Sequence, residues 1–103
     1  MQSVMKLPES MTVRAIKKFQ KDLTGVLNEN EKLSLDVSNI TETDISFIQI
    51  VYAARYHAEC HSKEIRLDKP ADGAVAALLA RGGFTTDPDQ ADIDFWFHGD
   101  LPQ

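Results

Sequence analysis

The sequence predicts a single α/β domain, and three observations carry that expectation. Leu33, Leu35 and Val37 alternate with Ser34 and Asp36, as in a strand with one face committed to a core. Residues 46–61 then bear apolar groups on nearly every face, which suits a helix packed on a sheet. Glu64-Ile65-Arg66-Leu67 and a segment ending at Gly82-Gly83 repeat the strand-then-helix order. Two such units in succession, after a strand and a helix at the start, indicate parallel neighbouring strands.

The 103 residues suffice for one hydrophobic core, and 43% hydrophobic with 26% charged residues is ordinary globular composition. A net charge of -5 opposes phosphate backbones and anionic bilayers, so no nucleic-acid partner is expected. No apolar run approaches the roughly 20 residues that span a bilayer, and no basic-then-apolar leader opens the chain. Membrane insertion is therefore not expected, and the cytoplasm is the expected location. The single Cys60 forms no internal disulfide.

Residues 3–7 read as a short edge strand stopped by Pro8. Across 12–27 the apolar positions Val13, Ile16, Phe19, Leu23, Val26 and Leu27 recur every three or four residues, the amphipathic helical pattern. Ser10 or Thr12 is the expected cap. Arg14, Lys17, Lys18 and Lys21 fall opposite the apolar stripe. That strip is a solvated face on the plainer reading and a docking strip for an acidic partner on the functional one.

After the strand around Leu35, the stretch from Thr41 to Gln49 opens the most apolar helix of the chain. Ser46 and Gln49 fit capping-box spacing, and Asp44 sets a carboxylate before the positive end of the helix dipole. Following Glu64–Leu67, a helix begins near Pro70 with Asp72 as cap, buries Val75, Leu78 and Leu79, and ends at Gly82-Gly83. Residues 85–92 read as an acidic loop. Ile93, Phe95 and Phe97 alternate with Asp94 and Trp96 as in a final strand. Trp96 is then expected to face away from Phe95 and Phe97, covering a helix or meeting a partner.

No catalytic set, metal site or cofactor motif is expected. Phosphate-cradling glycine loops, nucleophile elbows and paired-cysteine motifs are absent. His57, Cys60 and His61 could supply two or three zinc ligands, but only the distant His98 or an acidic loop residue could complete the set a zinc site needs. They also suit a helix C-terminus, where histidine complements the dipole. Asp87, Asp89, Asp92 and Asp94 lack the glycine and closing glutamate of a calcium loop. What stands out is the strand-to-helix junction. A hydroxyl at a helix start is where a phosphate is stabilised, and Ser46 is the weak candidate, with a plain capping role equally well suited to it.

In these segments the chain resembles the STAS family, small α/β domains typified by anti-anti-sigma factors. Leu33-Ser34-Leu35-Asp36-Val37-Ser38 is similar to the family's L-x-L-D-L-S strand, and Asp44-Ile45-Ser46-Phe47-Ile48-Gln49 to its D-S-[ST]-G-L-Q junction. Leu7-Pro8-Glu9-Ser10-Met11-Thr12-Val13 looks like the passage into the first helix. Ile65-Arg66-Leu67, followed by a helix ending Gly82-Gly83-Phe84, looks like the closing pattern. The resemblance covers residues 6–84 and implies one domain over 1–103, with a central mixed β-sheet flanked by helices and a strand or tail over 85–103.

The resemblance further implies a non-enzymatic protein-interaction module of bacterial signalling, an anti-sigma-factor antagonist or a chemotaxis or two-component accessory. Its partner would be a histidine-kinase-like, anti-sigma or chemotaxis protein. The alternative is a cytoplasmic subunit regulating the ATPase of a lipid-transporting ABC system. In switched members, the serine directly after the aspartate takes the phosphate. Here Ile45 holds that position and Phe47 replaces a small glycine. Asp44, Ile45, Ser46, Phe47 and Gln49 are thus the expected partner-binding residues, with a bulky apolar tip that Phe47→Asp would spoil.

Overall fold

A computed structural model describes residues 2–86 and 89–99. β1 (Gln2–Lys6), β3 (Lys32–Asp36) and β5 (Glu64–Leu67) form a three-stranded sheet in the order β1-β3-β5. Two short strands, β2 (Ser10–Met11) and β4 (Glu42–Thr43), make a second, two-stranded sheet. Both pairings in the larger sheet are parallel, as is the β2–β4 pair. Parallel strands need long connections, and α1 (Ile16–Glu29) and α2 (Ile45–Cys60) supply them before α3 (Gly73–Arg81) and α4 (Gln90–Phe97). The α/β class and the edge position of the first strand agree with the sequence reading.

Strand alternation sorts the sheet's two faces. Leu33, Leu35, Ile65 and Leu67 are buried, whereas Lys32, Glu64 and Arg66 are exposed. Ser34 is the buried polar residue, and its hydroxyl accepts the Arg66 Nε–H at 3.3 Å. The helices close over the apolar face. Phe19, Leu23 and Leu27 of α1, Phe47, Ile48 and Val51 of α2 and Val75, Leu78 and Leu79 of α3 meet it in one core.

α1 and α2 run side by side in the same direction. The chain just before α1 bonds Asp44 at the start of α2, and the Leu27 carbonyl near the end of α1 accepts from Lys63 just past α2. The first helix begins later than the apolar spacing suggests: Ala15, not Ser10 or Thr12, holds the N-cap position, and no side chain caps it. Val13 consequently lies outside the helix, 65% exposed, instead of in the core stripe. Along α2, Tyr56 is 72% exposed, so that helix leaves more to solvent than its composition indicates. At α3, Asp72 takes the N-cap position without a side-chain bond, and Gly83 adopts φ 82, the left-handed conformation glycine accepts without steric cost.

The final segment corrects the sequence reading most. Residues 93–97 form part of α4, not a strand, and Trp96 is buried together with Phe95 and Phe97. The Asp89 side chain accepts the Asp92 N–H at 2.9 Å, which starts the helix. Trp96 packs at 6.5 Å from both Phe47 and Tyr52, and edge-on to Phe95 at 4.9 Å. Burying three adjacent aromatic groups outweighs the period-two pattern. Arg55 fastens α4 to α2 through a 3.0 Å ion pair with Asp92, its guanidinium lying 4.3 Å from the Phe95 ring centroid. Asp92 therefore belongs to a packed contact. Asp87 lies outside the described residues.

Candidate protein-docking site at the Asp44 junction

Two loops at one end of the sheet are clamped together to make this site. The Asp36 carboxylate accepts the Ser38 N–H at 3.0 Å and the Ser38 hydroxyl at 2.6 Å, turning the chain as it leaves β3. These bonds, the hydroxyl's foremost, hold the Asp36 carboxyl below its ordinary value. The Glu9 carbonyl then accepts the N–H groups of Thr41 and Glu42 at 2.8 and 3.1 Å. With β2 paired to β4, the passage into α1 and the passage into α2 become one unit.

Asp44 completes that unit. One oxygen accepts the Ser46 N–H at 3.0 Å and the Ser46 hydroxyl, while the other accepts the Val13 N–H at 3.0 Å. The Ser46 hydroxyl does most to hold the Asp44 carboxyl below its ordinary value, with the Val13 and Ser46 N–H groups helping and burial opposing. The sequence reading placed the cap at Ser46 with Gln49 as its capping-box partner. Asp44 is the N-cap instead, and Ser46 is the second residue of the helix. A carboxylate satisfies an open N–H at the positive end of the dipole and still has an acceptor for Val13.

The five residues expected at the partner surface divide. Ile45 is 43% exposed, and Gln49, four residues on and so on the same helix face, is exposed as well. Asp44 and Ser46 are partly exposed and bonded to each other. Phe47 is 0% exposed, with its ring 5.7 Å from that of Phe19. The apolar tip attributed to Phe47 is therefore a core contact, and Phe47→Asp would disrupt folding before it tested any interface. Phe47 shares the buried face of α2 with Ile48 and Val51, one and four residues on.

Val13 is the residue that sequence reasoning missed. Its N–H meets Asp44, and its side chain stands exposed beside the same carboxylate that precedes Ile45. No signal in the sequence marked it: Val13 fits the apolar spacing and Ser10 and Thr12 stand before it as caps, and only the folded chain starts the helix after Ala15.

The Ser46 hydroxyl is committed to Asp44, and a phosphate on it would sit against a carboxylate. At the far end of α2 the His57 and His61 rings stack 4.2 Å apart, and His61 Nδ1 lies 2.8 Å from the His57 carbonyl. Among the described residues no three His, Cys, Asp or Glu side chains gather to hold a metal ion. Among them, too, no helix is long and apolar enough to cross a membrane.

The family model described as "Mlab, STAS domain" matches residues 1–90. Domains of this family generally act by binding protein partners. No curated protein and no solved structure matches the chain.

Proposed function

We propose that this chain, which belongs to the STAS domain family, is a non-enzymatic docking module that engages its protein partner without a phosphorylation switch. Its contact surface is the exposed group of Val13, Ile45 and Gln49 around Asp44 and Ser46. One observation carries this reading. Ile45, 43% exposed, occupies the position directly after the aspartate, where the family resemblance implies a phosphate-accepting serine.

A hydrocarbon side chain takes no phosphate. Exposed on a helix end, it is an anchor that a partner gains by burying. The three bonds to Asp44 fix that helix end beforehand, so binding need not order it. A switch at Ser46 is disfavoured because its hydroxyl already donates to the carboxylate that a phosphate would face.

The partner on this reading is a cytoplasmic signalling protein of histidine-kinase-like, anti-sigma or chemotaxis type. A second reading is favoured by the same lack of a switch, since a permanent subunit needs none. Here the chain is a cytoplasmic subunit regulating the ATPase of a lipid-transporting ABC system.

The test is affinity capture from the source cytoplasm with the wild-type chain and Ile45→Asp, read by mass spectrometry. Ile45 lies outside the core, so the variant keeps its fold. A signalling protein recovered by the wild type and lost with Ile45→Asp supports the first reading. An ATPase recovered together with membrane subunits supports the second. Equal recovery by both proteins removes Ile45 from the interface.

A further inference from the structure

The start of α1 carries the wrong charges for its own stability. A helix N-terminus favours acidic side chains and disfavours cations. Yet α1 has no acidic residue in its first turn and no side-chain cap, while Arg14, Lys17 and Lys18 surround that end. No basic residue stands in its last turn to offset this. Lys21 follows one turn on. All four cations are exposed, and the one ion pair among the described residues, Arg55 to Asp92, lies elsewhere. Asp22 is the nearest carboxylate on the helix, four residues after Lys18, and makes no ion pair with it. Four cations gathered without intramolecular partners, at a helix end they destabilise and on a chain of net charge -5, are not explained by folding.

Their position is informative. Arg14 follows Val13, whose N–H bonds Asp44, so the strip begins at the Val13–Ile45 surface. Lys17 and Lys21 share an open, exposed face of α1 with Gln20, Thr24 and Asn28. Lys17 to Lys21 spans about 6 Å of helix, and Arg14 lies just before its start.

We propose that this strip is the charged half of the docking surface, and that the partner lays an acidic segment along it, with an apolar group set against Val13 and Ile45. The proposal rests on the docking reading above and adds the partner's chemistry. Complementary charge would speed association and fix orientation. An acidic protein segment fits better than an anionic bilayer or a nucleic acid, because the rest of the chain repels extended anionic surfaces.

The decisive variant is Lys17→Glu/Lys21→Glu. It places an acid in the first turn of α1, so its melting temperature should equal or exceed that of wild type. The probe is a synthetic helical peptide with one leucine followed by glutamate-rich turns, compared with a twin bearing Gln for every Glu. Amide chemical shifts of the full chain are followed in 150 mM salt. Shifts at Val13, Arg14, Lys17 and Lys21 with the acidic peptide alone, lost in the double variant with affinity down about tenfold or more, are expected.

No shifts with the acidic peptide, equal shifts with the Gln twin, or unchanged affinity in the double variant would overturn the proposal. So would binding to vesicles of 30% anionic phospholipid in place of the peptide. None of these results touches the capture experiment with Ile45→Asp. The basic strip can therefore fail while the Asp44 junction stands, and loss of the junction is read separately.

Discussion

Asp44 and Val13 are joined by a 3.0 Å bond from the Val13 N–H to the Asp44 carboxylate, across 31 positions of sequence. The same carboxylate caps α2, so one side chain fixes the starts of two parallel helices relative to each other. The exposed apolar groups on either side, Val13 and Ile45, owe their juxtaposition to it.

Removing that carboxylate should loosen both helix starts. Asp44→Ala is expected to cost about 0.5–2 kcal/mol, the range for an N-cap, lowering the urea midpoint without changing the slope. Asn caps helices as well as Asp does but has a single acceptor oxygen, so Asp44→Asn should fall between Ala and wild type. Equal midpoints for Asn and wild type would mean that the Val13 bond contributes nothing.

Acid should reveal the same carboxylate. Asp44 and Asp36 are both held below the ordinary value of 3.8 by hydrogen bonds to the charged form. Their contribution is therefore fully present above that value. It is lost as pH falls through the lower folded values. Melting temperatures between pH 6 and 2 should decline less steeply below pH 4 for Asp44→Asn than for wild type. Parallel curves would show that Asp44 is not a source of the acid sensitivity.

The buried aromatic pair sets a second expectation. Phe47 is 0% exposed and Trp96 is 1% exposed, 6.5 Å apart between α2 and α4. Phe47→Ala and Trp96→Ala should each cost about 3–5 kcal/mol. Trp96 is the chain's one tryptophan, so its emission should be blue-shifted in the folded protein and move red in urea together with the loss of helical circular dichroism. An emission maximum already at the solvent-exposed position in buffer would place α4 away from the core.

One substitution should strengthen the fold. Gly25 lies inside α1, and a Cβ added there meets nothing within 4 Å. Gly25→Ala should stabilise by about 0.5–1 kcal/mol through helix propensity and a less flexible unfolded chain. Calorimetry should show a melting temperature higher by several degrees, about 4–8 °C per kcal/mol for a domain of this size. A lower one would mean that the helix does not run through position 25.

Sequence alone settled the repeated strand-and-helix order. Period-two alternation at Leu33 to Val37 and at Glu64 to Leu67, and apolar recurrence in the intervening segments, are local properties that the backbone reads directly. Asp44 was legible only as a carboxylate before the positive end of the helix dipole, because the capping-box spacing of Ser46 and Gln49 drew the cap to Ser46, whereas the folded chain caps α2 with Asp44. Tertiary structure decided the rest. Alternation over Ile93 to Phe97 suggested a strand, but the segment folds as a helix that buries all three aromatic groups, with Trp96 against Phe47 and Tyr52 of α2 and Arg55 and Asp92 fastening it. Phe47 looked like the tip of the junction because it follows Ile45 by two positions, yet the way α2 is turned against the core buries it with Ile48 and Val51. Val13 was counted as core, whereas the bond of its N–H to Asp44 holds it outside α1. Local pattern fixes which face of an element is apolar; which surface that face meets depends on contacts tens of residues away.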